Sequence, residues 1–410
     1  MSKIAVIGAG ISGLTTARLL QEKQHHVIVF EQESTPGGLI RCQRINGSLF
    51  HLCGGHVFNS KRQDVLDWFW KQFDMQTEFV SAKRHSVIEL GEQMIPYPIE
   101  NNVWRLDEGI QAQFYSDLQE MDEKASLPPT NFEEFLKKTF GDTLYQLYFR
   151  PYNEKIWRRD LSKVPLSWLE GKLPMPTIQE MRFNNANRVE EKQFVHSSFY
   201  YEKCGGSQFL ANRLSEGIDI RYNTFISALS YQSGQWYIDN EAFDTIIFCG
   251  NIKQLPALLG NIIQDFRLPI EGLESHGTTS VFCEIDANPY SWVYLPTPAH
   301  SAHRIICTGN FSPTNNAESK TTATIEFTDE ISPEQILRQL PLLPFRPKYI
   351  AHHYSPYTYP IQSASTRDMI QKLKRHLSPM HFYFTGRFAD WEYYNMDIAM
   401  GAAMDLCCTL

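Results

Sequence analysis

The chain has 410 residues, 42% of them hydrophobic and 20% charged, with a formal net charge of −8. That length allows two or three domains with a sizeable core, and the acidic balance argues against a nucleic-acid partner while leaving room for a local basic pocket. No apolar run approaches the roughly 20 residues of a membrane span, the first strand begins too early for a signal peptide, and the cysteines show no metal-ligand spacing. A cytoplasmic protein with reduced thiols and no metal is expected.

The N-terminus opens with an apolar run at 4–7, then Gly8-Ala9-Gly10-Ile11-Ser12-Gly13, a helical pattern (Leu14, Ala17, Leu19, Leu20), and a second β-branched run at 27–30 closed by Glu31. Strand, glycine turn, helix and acid-tipped strand are the parts of a dinucleotide-binding βαβ unit. Gly8 turns the chain, Gly10 lets the backbone approach a pyrophosphate, and Gly13 lets the helix pack on the sheet. The helix N-terminus at Ser12 offers free N–H groups to the phosphates, and Glu31, with Gln32 beside it, accepts from ribose hydroxyls. Next comes Gly37-Gly38-Leu39-Ile40-Arg41. This run resembles the second glycine pair of the large FAD-dependent family that includes amine oxidases, phytoene desaturases, protoporphyrinogen oxidase and the flavin-dependent sugar mutases. FAD is therefore the expected cofactor, with Gly38, Leu39 and Arg41 beside it.

Further along, residues 49–58 read as strand, glycine turn and strand, 63–73 as an aromatic-rich helix, and 86–90 with 93–98 as a hairpin. Helical periods dominate about 106 to 190, in 110–121, 132–139 and 143–149. The polar run 182–192 reads as an exposed or mobile segment, and whether it closes as a lid stays open. A glycine pair at 205–206 precedes a helix at 207–214, and strands follow at 218–222, 236–239 and 245–250. Period-two stretches at 280–285, 292–295, 304–308 and 321–327 suggest a largely antiparallel sheet. A buried strand at 381–386 and a helix from about 396 close the chain. The fold class is thus α/β. A Rossmann-like FAD domain is assembled from separated segments (1–84, 203–262 and 376–410). It carries an inserted helical substrate or lid domain (107–190) and an antiparallel sheet domain (85–106, 191–202 and 263–375).

A flavin pocket that takes a nucleotide sugar needs cations and tyrosine hydroxyls for the diphosphate and aromatic faces for base and sugar. Tyr97, Tyr152, Asn153, Trp157, Tyr294, Arg304, Tyr359, Tyr393 and Tyr394 are suitable material, although spacing alone favours core over ligand for any single aromatic. Several segments resemble, in order, those of the UDP-galactopyranose mutase family. They are Gly54-Gly55-His56-Val57-Phe58, Pro96-Tyr97-Pro98-Ile99-Glu100-Asn101-Asn102, Arg150-Pro151-Tyr152-Asn153-Glu154-Lys155-Ile156-Trp157, Tyr294 ahead of Arg304, Tyr357-Thr358-Tyr359-Pro360, and Gly386-Arg387 followed by Tyr393-Tyr394 and Met396-Asp397.

The resemblance implies an isomerase in cell-surface polysaccharide synthesis, acting on a nucleotide sugar, UDP-galactose first among them. It works through a reduced-flavin N5–sugar adduct without net redox change. It further implies that Arg304, Tyr294, Tyr359 and Tyr393 hold the diphosphate. Tyr97, Asn153 and Trp157 border the substrate. Gly54, Gly55, His56, Gly386, Arg387, Met396 and Asp397 surround the flavin, with His56 biasing its protonation. The family's other diphosphate arginine has Lys172 near its place, a cation without the bidentate fork. Glu100 and Asn395 also depart from the family pattern, which leaves the particular sugar open, as is the oligomeric state, a homo-oligomer included. An oxidase or desaturase of the same flavin superfamily, and a flavoprotein with a decayed site, are the competing readings. An apolar tunnel and oxygen consumption would mark the first of these, and bound FAD without turnover the second.

Overall fold

The computed structural model describes residues 1–123, 128–166, 176–189 and 198–410. The β-branched runs of the N-terminal unit lie at the heart of a five-stranded parallel sheet. Its order is Phe382–Phe384, Thr245–Phe248, Lys3–Ile7, His26–Phe30 and Asp219–Arg221. Registers such as Ile4↔Val27 and Ile4↔Thr245 bring distant segments into one α/β, Rossmann-like unit. Both faces of this sheet are covered, which explains why its strands read as unbroken apolar runs. On one side the helices Ile11–Glu22 and Met396–Cys407 pack together through Leu14, Ala17, Met400 and Cys407. On the other, Trp236, Phe243, Leu373 and Trp391 form a second core.

A seven-stranded sheet stands against this unit, in the order Lys348–Ile361, Glu274–Glu284, Thr322–Thr328, Ala302–Ile306, Trp292–Tyr294, Ser86–Leu90 and Gln93–Pro96. It is antiparallel except where Trp292–Tyr294 runs parallel to Ser86–Leu90. The 14-residue strand Lys348–Ile361 departs from the sequence reading, which placed no strand there. Pro356 and Pro360 interrupt its pattern; the strand forms the sheet edge, where prolines are tolerated, and Pro356 falls in the irregular stretch of its ladder between Ser355 and Tyr359.

The helical region comprises Glu108–Glu123, Phe132–Leu144 and Arg150–Trp157. A π-turn, Tyr145–Phe149, leads into the last of these. Its aromatic core includes Phe114, Phe135, Phe140, Tyr148 and Trp157. The polar run beginning at 182 is exposed over most of its described length, as its composition suggests, but it starts inside a helix. Residues 182–186 complete a helix, Ile178–Ala186, started by a capping box of Thr177 and Glu180. Its asparagines act as internal ligands. Asn185 Nδ2 donates to Glu100 O (2.7 Å) and Asn184 Nδ2 to Asn101 Oδ1 (3.0 Å), which supplies the order that apolar content does not. Residues 190–192 lie outside the described residues.

Candidate active site

The parallel sheet ends in the glycine turns, and the seven-stranded sheet faces them across a cleft of about 1620 Å³. Four segments build the lower wall. The first is Gly8, Gly10 and Ser12 at the entry to helix Ile11–Glu22; Gly13 sits behind them, where a Cβ would come within 1.9 Å of Gly8 O. The second is Glu31, Gln32, Gly38, Leu39 and Arg41. Gly38 has φ +54°, and a Cβ there would stand 3.2 Å from Gly10 Cα, so only glycine closes this cradle without displacing backbone. The third is Gly54, Gly55 and His56, and the fourth Gly386, Arg387, Met396 and Asp397.

The polar groups of this wall are well defined. Glu31, buried at 7% exposure, accepts from Ala9 N (2.7 Å) and Glu33 N (2.9 Å); a carboxylate retains lone pairs for a further donor. Arg41 pairs with Glu33 at 3.0 Å. His56 Nε2 donates to Leu39 O at 3.0 Å, and burial, reinforced by Arg387, lowers its pKa to about 4, so the ring is neutral. Arg387 lies over the Tyr393 ring (4.1 Å) and donates to Thr358 O and Tyr394 O, whereas its buried Nε has no hydrogen-bond partner among the described residues. An orphaned guanidinium N–H beside a glycine cradle suits a ligand rich in acceptor oxygens.

The opposite wall is built on neighbouring strands. Arg304 is the Cα partner of both Tyr294 and Glu326. Its Nε donates to Glu326 Oε2 and its Nη2 to Tyr359 OH (3.2 Å), while Glu326 Oε1 accepts from Gly54 N (2.9 Å). Glu326 is only 1% exposed. Burial opposes its ionisation, yet Arg304 and His303 hold the carboxyl well below the usual carboxylate range. One buried ion pair thus links the glycine turn at Gly54 to the arginine across the cleft. The Tyr359 and Tyr393 rings stack at 5.5 Å, and burial keeps the Tyr359 hydroxyl protonated. A second guanidinium, Arg84, lines the cleft. It donates to Tyr294 OH and Ser86 Oγ, both at 2.8 Å, and rests on the rings of Tyr97 and Trp292.

Three residues assigned to substrate from their motifs stand one layer behind the wall. Tyr97 backs Tyr294, with ring centroids 5.1 Å apart. Asn153 turns onto its own helix, donating to Phe149 O at 2.7 Å. Trp157 is buried in the helical core, and its carbonyl accepts from His276 Nε2 at 2.9 Å. The helix that carries the last two packs its aromatic face inward, which draws them off the cleft. Lys172 lies outside the described residues.

Arg84 and Glu326 were missed. Glu326 left a signal, a carboxylate inside the fully buried strand Thr322–Thr328, where an unpaired charge is rarely tolerated. Arg84, in a polar turn, left none.

Residues 6–73 match a family model described as an NAD(P)-binding Rossmann-like domain. The chain is 22% identical over 419 residues to dTDP-fucopyranose mutase of Escherichia coli, covering 99% of this chain and 97% of that one. It is 23% identical over 274 residues to UDP-galactopyranose mutase of Mycoplasma genitalium, covering 62% of this chain and 61% of the relative. Among solved structures, reduced UDP-galactopyranose mutase superposes with a TM-score of 0.87 at 22% identity, covering 99% of this chain and 95% of that chain. A putative protoporphyrinogen oxidase from Exiguobacterium does so with 0.76 at 16% identity, covering 100% and 98%. At such identities these structures share the fold.

Proposed function

We propose that this chain is a flavin-dependent mutase that interconverts the pyranose and furanose forms of a nucleotide sugar, with UDP-galactose and dTDP-fucose as the candidate substrates. The full-length likeness to dTDP-fucopyranose mutase supports a place for the second beside the first. The observation that carries the reading is the arrangement of Arg304, Tyr359, Tyr294 and Arg84 opposite the glycine cradle. In a chain of net charge −8, the cleft is lined, among the described residues, by eight lysine and arginine side chains against five acidic ones. An anionic ligand is drawn to such a site.

The lower wall fits FAD. The helix N-terminus and the glycines at 8, 10 and 38 would take the pyrophosphate, Glu31 a ribose, and Arg387 with the turn at Gly54–His56 the ring system. A reduced flavin held there supplies an electron-rich nitrogen as nucleophile toward the anomeric carbon. The chain's own part is positional and electrostatic. Arg304 and the Tyr359 hydroxyl, fixed to each other, grip the diphosphate and stabilise the negative charge it gains as the anomeric C–O bond breaks. Because Glu326 already neutralises Arg304, the guanidinium keeps its position whether or not the diphosphate is present, so little reorganisation is needed on binding. The stacked tyrosines and Arg387 exclude water from one side of the reacting sugar. Neutral His56, held by Leu39 O, adds no cation beside the flavin.

Incubating dithionite-reduced protein with UDP-galactofuranose and, separately, dTDP-fucofuranose, and following pyranose formation by chromatography, tests the reading. Conversion of at least one is expected. Conversion of neither, with oxygen consumed on addition of an amine or polyene substrate, would transfer the protein to the oxidases.

A further inference from the structure

The helix Arg150–Trp157 carries a cation to which the proposed chemistry gives no role. Lys155 turns inward from this helix, and its Nζ donates to Leu295 O at 2.7 Å and to Ala302 O at 2.9 Å. These carbonyls belong to the two strands of one hairpin. Leu295 directly follows Tyr294, and Ala302 stands two residues before Arg304. One ammonium therefore ties both hairpin arms to the helix, close to the two side chains that face the diphosphate. The same last turn of the helix is fastened again two residues on, where the Trp157 carbonyl accepts from His276, itself held by Asp329 at 3.0 Å. One turn earlier on the same helix, Tyr152 packs edge-on against Tyr294 with ring centroids 5.5 Å apart and stacks on Tyr148 at 5.4 Å.

Ordinary helix packing does not require an ammonium here. Burial lowers the pKa of Lys155 to about 7, with Glu89 on the neighbouring strand partly opposing the shift. The other titratable groups facing it belong to the hairpin. They are His300, whose Nδ1 shares Ala302 O at 3.1 Å, and His303 beside Glu326. A methionine of similar length would fill the space without that desolvation cost, so the cation is retained for what its protons hold.

We propose that Lys155 is a positioning residue of the nucleotide-sugar site, its ammonium locking helix and hairpin together so that Tyr294 and Arg304 stay at the spacing a diphosphate requires. The proposal rests on the mutase reading and adds to it a residue that touches neither substrate nor cofactor.

The test compares wild type, Lys155→Met and Lys155→Arg as flavin-loaded proteins, reading flavin absorbance, affinity of the reduced protein for UDP and dTDP, and kcat and KM with the furanose substrate. Lys155→Met is expected to keep the flavin spectrum, since the cradle lies on the other wall. Its nucleotide affinity and kcat/KM should fall by about tenfold to a hundredfold, as for other small displacements of substrate-holding groups. Lys155→Arg, which keeps charge and donors, should recover most of the loss. Wild-type affinity and turnover in Lys155→Met, or equal losses in both variants, would reduce the residue to packing and overturn the proposal. If Lys155→Met does not fold, nucleotide affinity is measured from pH 6 to 9. Wild type should weaken as Lys155 loses its proton through about 7 while Lys155→Arg stays level, and superimposable profiles would overturn the proposal. A wild type that neither binds nucleotide nor converts sugar defeats the mutase reading itself, a result distinct from all of these.

Discussion

Replacing Arg304 by methionine removes two things at once, the partner of a buried carboxylate and the cation proposed to face the diphosphate. Glu326 is 1% exposed and bonded to Arg304 Nε and Gly54 N, so the single variant leaves a negative charge in the protein interior with the Gly54 N–H and the His303 ring at 3.5 Å in place of its guanidinium. Breaking a buried pair in this way costs about 3–5 kcal/mol of stability. The double variant Arg304→Met with Glu326→Gln removes the orphan charge and still offers Gly54 N an acceptor, so most of that stability should return. Nucleotide affinity should not return, because the guanidinium is absent from both variants. Loss of a desolvated charge contact to the diphosphate is worth roughly 2–5 kcal/mol of binding. Urea unfolding measures the first quantity and titration of the reduced protein with UDP and dTDP the second. A double variant as stable as wild type that binds nucleotide with wild-type affinity would refute the role given to Arg304.

Two further perturbations address the cradle and a buried acid. Gly38→Ala places a Cβ 3.2 Å from Gly10 Cα at a φ of +54°, and the protein should purify with markedly less FAD per chain than wild type, read from the flavin-to-protein absorbance ratio; full flavin content would remove Gly38 from the cofactor set. Glu202 is 1% exposed, its Oε2 has no hydrogen-bond partner among the described residues, and burial raises its pKa from 4.5 to about 8. Between those values the unfolded chain is ionised while the folded protein keeps its proton, so this group lowers stability as pH rises through that window, at about 1.4 kcal/mol per pH unit. Glu202→Gln should match wild type near pH 5 and exceed it by on the order of 2–4 kcal/mol at pH 8. Parallel stability–pH curves for the two proteins would show that Glu202 ionises freely in the fold.

The central parallel strands were legible in the sequence because they are buried on both faces, so Lys3–Ile7, His26–Phe30 and Thr245–Phe248 read as apolar runs whatever surrounds them. The hairpin Ser86–Leu90 with Gln93–Pro96 and the helix Met396–Cys407 were legible for similar local reasons. Strand Lys348–Ile361 was not, because an edge strand tolerates prolines that a pattern search treats as breaks. Helix Ile178–Ala186 was not, because asparagine bonds to the backbone at Glu100 replace the apolar stripe by which helices are recognised. Within the site, most motifs pointed to segments that line the cleft, but two of them, 96–102 and 150–157, stand behind it. Arg304, Tyr294, Tyr359 and Tyr393 line it, whereas Tyr97, Asn153 and Trp157 stand behind. Depth depends on which face of a helix the tertiary core claims, and in Arg150–Trp157 the aromatic residues claim it. Arg84 shows the converse, a cleft-lining position reached from a connection whose composition says only that it is polar.

A crystal structure of the dithionite-reduced protein with UDP bears most directly on whether the cleft holds a nucleotide sugar against a flavin. FAD is expected on the glycine cradle, with the UDP β-phosphate within hydrogen-bond reach of the Arg304 guanidinium and the Tyr359 hydroxyl and its terminal oxygen turned toward the flavin ring. UDP bound outside this cleft, or bound with its phosphates away from Arg304, would contradict the account.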